Sequence, residues 1–246
     1  MSANTPDEMS ELRRTSTADA QAGQDGDDRL RTLLLGVVAV VVIGALVAAV
    51  IIFQGGSDGT VGAPQHPPRV TASTHGIAIG AQDAPVHVVV YEDFRDSASA
   101  RFEMGSRDYL HTDAAAGRVY VEYRPVALAG NDSARTLDAF AAVLDTAGPK
   151  AALRFHDLVF EQLANGGGPV SDDQLVSLAG SAGAKGSAVQ NAIGSGQHQQ
   201  WVADADAAAA NDKVSRTPTV LVDGRMMPGT IDQVVDHLET RIAKED

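Results

Sequence analysis

Tyr91-Glu92-Asp93-Phe94-Arg95-Asp96-Ser97-Ala98-Ser99 joins an apolar strand to an amphipathic helix. The run that leads into it, Val86-His87-Val88-Val89-Val90-Tyr91, is rich in β-branched residues and too short for a helix, the pattern of a buried strand. Beyond it, Arg101, Phe102 and Tyr109 lie on a helix that runs to about Ala115, with Asp96 or Ser97 able to cap its first turn. Gly117 ends that helix, and Val119-Tyr120-Val121-Glu122-Tyr123 alternates as a second strand. A strand, a crossover helix and a strand imply a parallel pair. The chain contains no cysteine.

Working outward, Ile77-Ala78-Ile79 reads as a short edge strand, and Gln82-Asp83-Ala84-Pro85 turns the chain. From Ser133 to about Asp212 the pattern is helical. Leu137, Phe140, Ala141 and Leu144 recur at helical spacing, as do Leu153, Phe155, Leu158 and Val159. Gly166-Gly167-Gly168-Pro169 interrupts the run, Ser171 caps a helix through Leu178, and Ala188 to Ala210 reads as one further helix. Strands then return as Thr219-Val220-Leu221-Val222 and Arg225-Met226-Met227 around Asp223-Gly224, a strong hairpin signal. Ile231 to Ala243 closes the chain as a helix.

The central stretch resembles the strand–loop–helix of DsbA-like thioredoxin-fold proteins: an aromatic, any residue, Asp-Phe, one more residue, then Cys-Pro-x-Cys. Aligned on Asp93-Phe94, Asp96 stands at the first cysteine, Ser97 at the proline, Ala98 at the variable position and Ser99 at the second cysteine. A second segment, Val214-Ser215-Arg216-Thr217-Pro218-Thr219, is similar to that family's Val-x-Gly-Thr-Pro-Thr loop, with Arg216 where a small residue is usual. The family resemblance implies a cis Thr217–Pro218 bond, a conformation that costs only about 0.5–1 kcal/mol before proline. Arg124-Pro125-Val126, Leu128-Ala129-Gly130 and Ser133 fit the same pattern. The resemblance covers roughly Gly76 to Asp246. It implies an α/β, thioredoxin-like fold with a helical insertion, here preceded by one transmembrane helix.

That helix is read from Leu33–Phe53, an uninterrupted apolar run of 21 residues, long enough at 1.5 Å per residue to cross a hydrocarbon core of roughly 30 Å. It exceeds the h-region of a cleaved signal peptide, typically ~7–15 residues, so an uncleaved anchor is expected. Arg29 and Arg31 abut its start, and no positive charge follows before Arg69, which puts the N-terminus in the cytoplasm. The expected organisation is a disordered cytoplasmic tail (1–29), a membrane helix (30–53), a Pro- and Gly-containing extracytoplasmic linker (54–75) and the DsbA-like domain (76–246). This makes the protein a single-pass cell-membrane protein of a bacterial envelope. A net charge of −13 argues against nucleic acid as a partner.

Disulfide exchange needs a thiolate to attack a disulfide sulfur, so this chain cannot perform it with its own side chains. The loop that remains is a helix N-terminus, where Asp96 and Ser99 cap the helix. No catalytic residue and no cofactor are expected. The partner-binding candidates are Asp96, Ser97 and Ser99 on one side, and Arg216, Thr217 and Pro218 on the other. By the family resemblance, the backbone beside the proline pairs with an extended segment of an extracytoplasmic protein, a form of β-augmentation that needs no cysteine. The alternatives are a thiol-dependent transferase or isomerase using a serine, and a purely structural subunit of an envelope complex. A serine hydrolase has neither a nucleophile elbow nor a base placed near Ser97 or Ser99.

The seven histidines (His66, His75, His87, His111, His156, His198, His237) show no i, i+3 or i+4 pairing. No metal site is expected, and each reads as a surface or partly buried structural residue. His87, within the first core strand, reads as buried, and Trp201 as a core anchor. The glycine run 166–168 lacks the strand and the Lys-Ser/Thr of a phosphate loop.

Overall fold

The computed structural model describes residues 67–245 apart from Pro169. The expected tail, membrane helix and most of the linker lie outside the described residues. Among those described, no helix is long and apolar enough to cross a membrane.

The strands β1 (Val70–Ser73), β2 (Gly76–Ile79), β3 (Val86–Glu92), β4 (Val119–Pro125), β5 (Thr219–Val222) and β6 (Arg225–Met226) form one sheet in the order β1-β2-β4-β3-β5-β6. Its centre is the parallel pair β3–β4, in register from Val86 opposite Val119 to Glu92 opposite Pro125. Helix α1 (Ser97–Ala115) is the crossover between them. Five helices stand between β4 and β5 among the described residues: α2 (Asn131–Ala147), α3 (Pro149–Ala164), α4 (Asp172–Ser181), α5 (Ser187–Ser195) and α6 (Gln199–Asn211). Helix α7 (Ile231–Ile242) follows β6 and packs on α1.

Period-2 alternation sends Val119, Val121 and Tyr123 of β4 into the core, where all three are fully buried, while Tyr120, Glu122 and Arg124 on the other face stay partly exposed. Phe102 and Leu110 of α1 and Phe155 and Phe160 of α3 meet that buried face. Helix α7 buries Val234, Leu238 and Ile242, a single stripe at i, i+4 and i+8. Thr230 starts it with a reciprocal capping box to Gln233, and Ser171 does the same for α4 with Gln174. Between β5 and β6, Asp223 and Gly224 both have positive φ (50° and 77°), as a tight primed turn requires.

Four expectations need correction. Ile77-Ala78-Ile79 is not an edge strand: β1, from residues read as linker, pairs antiparallel outside it (Val70 opposite Ile79) and leaves all three residues fully buried. The helix read over Ala188–Ala210 is two helices, because Gly196 adopts a left-handed conformation (φ 60°) and caps the first of them. His87 is exposed, since the strand's alternation turns it to the open face, where it packs on Tyr120. His156 is not a surface or partly buried residue but completely buried. Trp201 does anchor the core, partly buried against Phe140.

Candidate functional site

Asp93 leaves β3 as a fully buried carboxylate. Its Oδ1 accepts hydrogen bonds from the Ser133 hydroxyl (2.6 Å) and the Arg95 amide (2.8 Å), and its Oδ2 accepts one from the Ala129 amide (2.8 Å). One side chain thereby fixes its own loop, the segment after β4 and the start of α2. Phe94 follows into the core against Phe140 and Phe160, with ring centroids 5.6 and 5.2 Å away. A buried anion and a buried aromatic in sequence leave the next residues only one course, out to the surface at the head of α1.

Asp96 is the N-cap of α1. Its Oδ1 accepts from the Ala98 amide (3.0 Å), and its Oδ2 accepts from the Ser99 amide (3.2 Å) and the Ser99 hydroxyl (2.9 Å). The carboxylate also suits the positive end of the helix dipole. The same Oδ2 accepts a hydrogen bond from the Thr217 hydroxyl at 2.8 Å, across 121 residues of sequence. Thr217–Pro218 is a cis peptide bond. The two segments singled out in the sequence are therefore neighbours, joined directly by a carboxylate. Asp96→Ala is expected to lower stability by about 1–2 kcal/mol through loss of the cap, measured as a shifted urea midpoint with unchanged slope.

Ser99 is fully buried. Its hydroxyl donates to Asp96 and accepts from the Asp93 amide (3.3 Å), so its proton is engaged and its burial denies a substrate access. Ser97 is exposed, Ala98 half-buried, and Arg216 exposed. Thr219 donates through its hydroxyl to the Arg216 carbonyl at 2.7 Å, which fixes the turn that presents the arginine. Between these segments and the start of α7 runs a groove of about 440 Å³. Ala98, Thr217 and Pro218 line it together with the apolar Met226, Met227 and Ile231. Arg101 and Asp232, both in its lining, pair at 2.7 Å. That pair is largely exposed and contributes little to stability.

Sequence reasoning missed a second constellation, directly behind the loop. Glu92 at the end of β3, Glu103 on α1 and His156 on α3 are each fully buried. His156 Nε2 lies 2.6 Å from Glu92 Oε1, and its Nδ1 lies 3.0 Å from Asp157 Oδ1. Burial alone would depress the imidazole, but these carboxylates outweigh it and hold His156 up at about 10. Glu103 is pushed up to about 8, first by burial and then by the Glu92 charge. Arg107 lies against Glu103 and Asp157 (3.4 Å each) and Glu161 (3.0 Å). One signal was present in the sequence: Ser99, Glu103, Ser106 and Leu110 fall at helical spacing on one face of α1, and all four are buried.

The family model described as Thioredoxin matches residues 72–240. The chain belongs to the thioredoxin family. Within it, the fold is of the DsbA type. DsbA of Mycobacterium tuberculosis in its reduced form is 25% identical, with a TM-score of 0.52 over 73% of this chain and 99% of that one. The disulfide bond oxidoreductase DsbG of the same organism is 26% identical, with a TM-score of 0.55 over 74% and 93%. BdbD of Bacillus subtilis superposes with a TM-score of 0.61 at 20% identity, over 72% and 96%, a likeness of fold. No curated protein matches the sequence significantly. This thioredoxin-family member carries Asp96, Ser97, Ala98 and Ser99 where the DsbA-like pattern has Cys-Pro-x-Cys, and has no cysteine elsewhere.

Proposed function

We propose that this protein is a membrane-anchored, extracytoplasmic binding module that captures an extended segment of a partner protein without redox chemistry. The observation that carries the reading is the Asp96–Thr217 hydrogen bond. The carboxylate at the first cysteine position holds the loop against the segment beside Pro218 and preserves the groove between them. Exchange of disulfides through the protein's own side chains is excluded, because the attacking group must be a thiolate and the chain has no cysteine. The buried, doubly hydrogen-bonded Ser99 argues against a serine standing in for a thiol in transferase chemistry.

What the groove retains is a means of recognition. Apolar Met226, Met227 and Ile231 offer contact area, the segment around Arg216 and Thr217 offers backbone for strand pairing, and the exposed Arg216 adds a positive charge. The anchor reading rests on Leu33–Phe53 and the flanking Arg29 and Arg31.

The test is site-specific photo-crosslinking in native membranes, with the probe at Ala98 and a control at His237, exposed on α7. A discrete adduct at Ala98 alone, lost when Arg216 and Thr217 are both replaced by alanine, is the expected result. Adducts only at His237, or an Ala98 adduct indifferent to those replacements, would overturn the groove reading. Recovery of the protein in the soluble fraction after alkaline extraction would overturn the anchor.

A further inference from the structure

The buried constellation behind the loop holds more acceptors than its donors occupy. Glu92 Oε2, Glu103 Oε1 and the Tyr123 hydroxyl belong to fully buried residues, yet none has a hydrogen-bond partner among the described residues. The Tyr123 ring packs on His156 with centroids 4.8 Å apart, and its phenol is held well above its ordinary range by burial and then by Glu103 and Glu92. Glu92, Glu103 and His156 each offer one ligand atom, and these atoms all lie within 4.8 Å of one another. Ligands about 3.3 Å apart surround a tetrahedral ion with metal–ligand distances of about 2.0–2.2 Å, so the His156–Glu92 pair, at 2.6 Å, opens while the wider separations close to assemble the set.

We propose that Glu92, Glu103 and His156 form a buried site for one divalent first-row cation, zinc before manganese. The chemistry of the donors favours this class: imidazole suits zinc, and two carboxylates admit zinc or manganese. The surroundings are those of a ligating histidine. Asp157 accepts the Nδ1–H of His156, which fixes the tautomer that presents Nε2 to a metal. Arg107 in turn steadies Glu103 and Asp157. Binding replaces two protons with the cation, the one between Nε2 and Glu92 Oε1 and the one that burial keeps on Glu103, and both leave to solvent. A divalent ion beside a neutral His156 and the Arg107 guanidinium balances the three buried carboxylates of Glu92, Glu103 and Asp157, while Glu161, the fourth carboxylate near Arg107, is partly solvated. Aromatic rings of Phe94 and Phe160 close the site, 5.9 and 5.0 Å from the imidazole. Spacing along the chain hid the site, because its ligands come from β3, α1 and α3.

The ligands are fully buried, so loading accompanies folding and native exchange is slow. The test uses the full chain, purified in detergent from cells grown with added zinc or manganese and dialysed against a chelator under native conditions. Metal is then measured by mass spectrometry before and after unfolding in guanidinium with chelator. About one equivalent retained natively and released on unfolding is expected. Cells grown with cobalt should yield a protein with the visible absorption of a tetrahedral ion. The conservative variant Glu103→Gln, checked for native circular dichroism, should retain less than a tenth of that metal. Sub-stoichiometric metal in the parent chain, or equal metal in parent and variant, would overturn the site and leave a cluster held by protons alone. Neither result depends on whether the groove captures a peptide.

Discussion

His156→Ala should lose about 3–5 kcal/mol of folding stability, the toll of breaking a buried charge pair by removing one partner. The imidazole faces Glu92 Oε1 at 2.6 Å and Asp157 Oδ1 at 3.0 Å, and its ring fills space between Phe94, Tyr123 and Phe160. Alanine leaves the fully buried Glu92 carboxylate uncompensated and opens a cavity among aromatic rings. Against a total of about 5–15 kcal/mol for a domain, that is a large share of the stability. Electrostatics and packing can be separated by a double-mutant cycle measured in urea. Adding Glu92→Gln to His156→Ala removes the stranded charge, so the double variant should be more stable than His156→Ala alone by at least about 1 kcal/mol. A double variant no better than the single one would assign the loss to packing.

Asp93→Ala should have the second largest effect, about 2–4 kcal/mol, since removing an acceptor leaves its buried donors unsatisfied. Three donors depend on that carboxylate: the Ser133 hydroxyl and the amides of Ala129 and Arg95. They sit on three different segments, so the damage should be read locally as well as globally. Amide hydrogen exchange at Ala129 and Arg95 should accelerate even where the sheet remains protected. Asp93→Asn keeps one acceptor oxygen and should fall between the two. If Asp93→Asn is as stable as the native chain, the carboxylate's double acceptance is not what holds the loop.

How much of this was legible in the sequence differs by element. The strand–loop–helix around Asp93 and the segment before β5 carried short-range signals: a β-branched run, a capping aspartate and a fixed-offset proline. The structure places them side by side as expected. The Asp223-Gly224 hairpin and the Ser171 cap were similarly local. What failed was whatever needed a partner outside its own element. Residues 70–73, Val-Thr-Ala-Ser, are too polar to announce a strand, and they form one only because β2 offers a free edge. The alanine-rich stretch after residue 187 hid a break that one left-handed glycine makes. His156, between Phe155 and Asp157 on α3, looks like any polar residue of an amphipathic helix until Glu92 arrives from β3, 64 residues earlier. Clusters assembled from three elements leave no periodicity to read.

The contact between Asp96 and Thr217 also bears on the entropy of any docking event at the groove. Flexible rims must give up rotamer and backbone freedom when a chain settles between them, about 0.5–1.5 kcal/mol for each side chain immobilised. Here Asp96 accepts hydrogen bonds from two amides and two hydroxyls before anything binds. The freedom that docking would remove has already gone at folding. A thiol enzyme can hold a poorly ordered complex by covalent trapping, whereas a chain with no cysteine must rely on reversible contacts alone. Preorganised rims are the compensation this structure supplies for that loss.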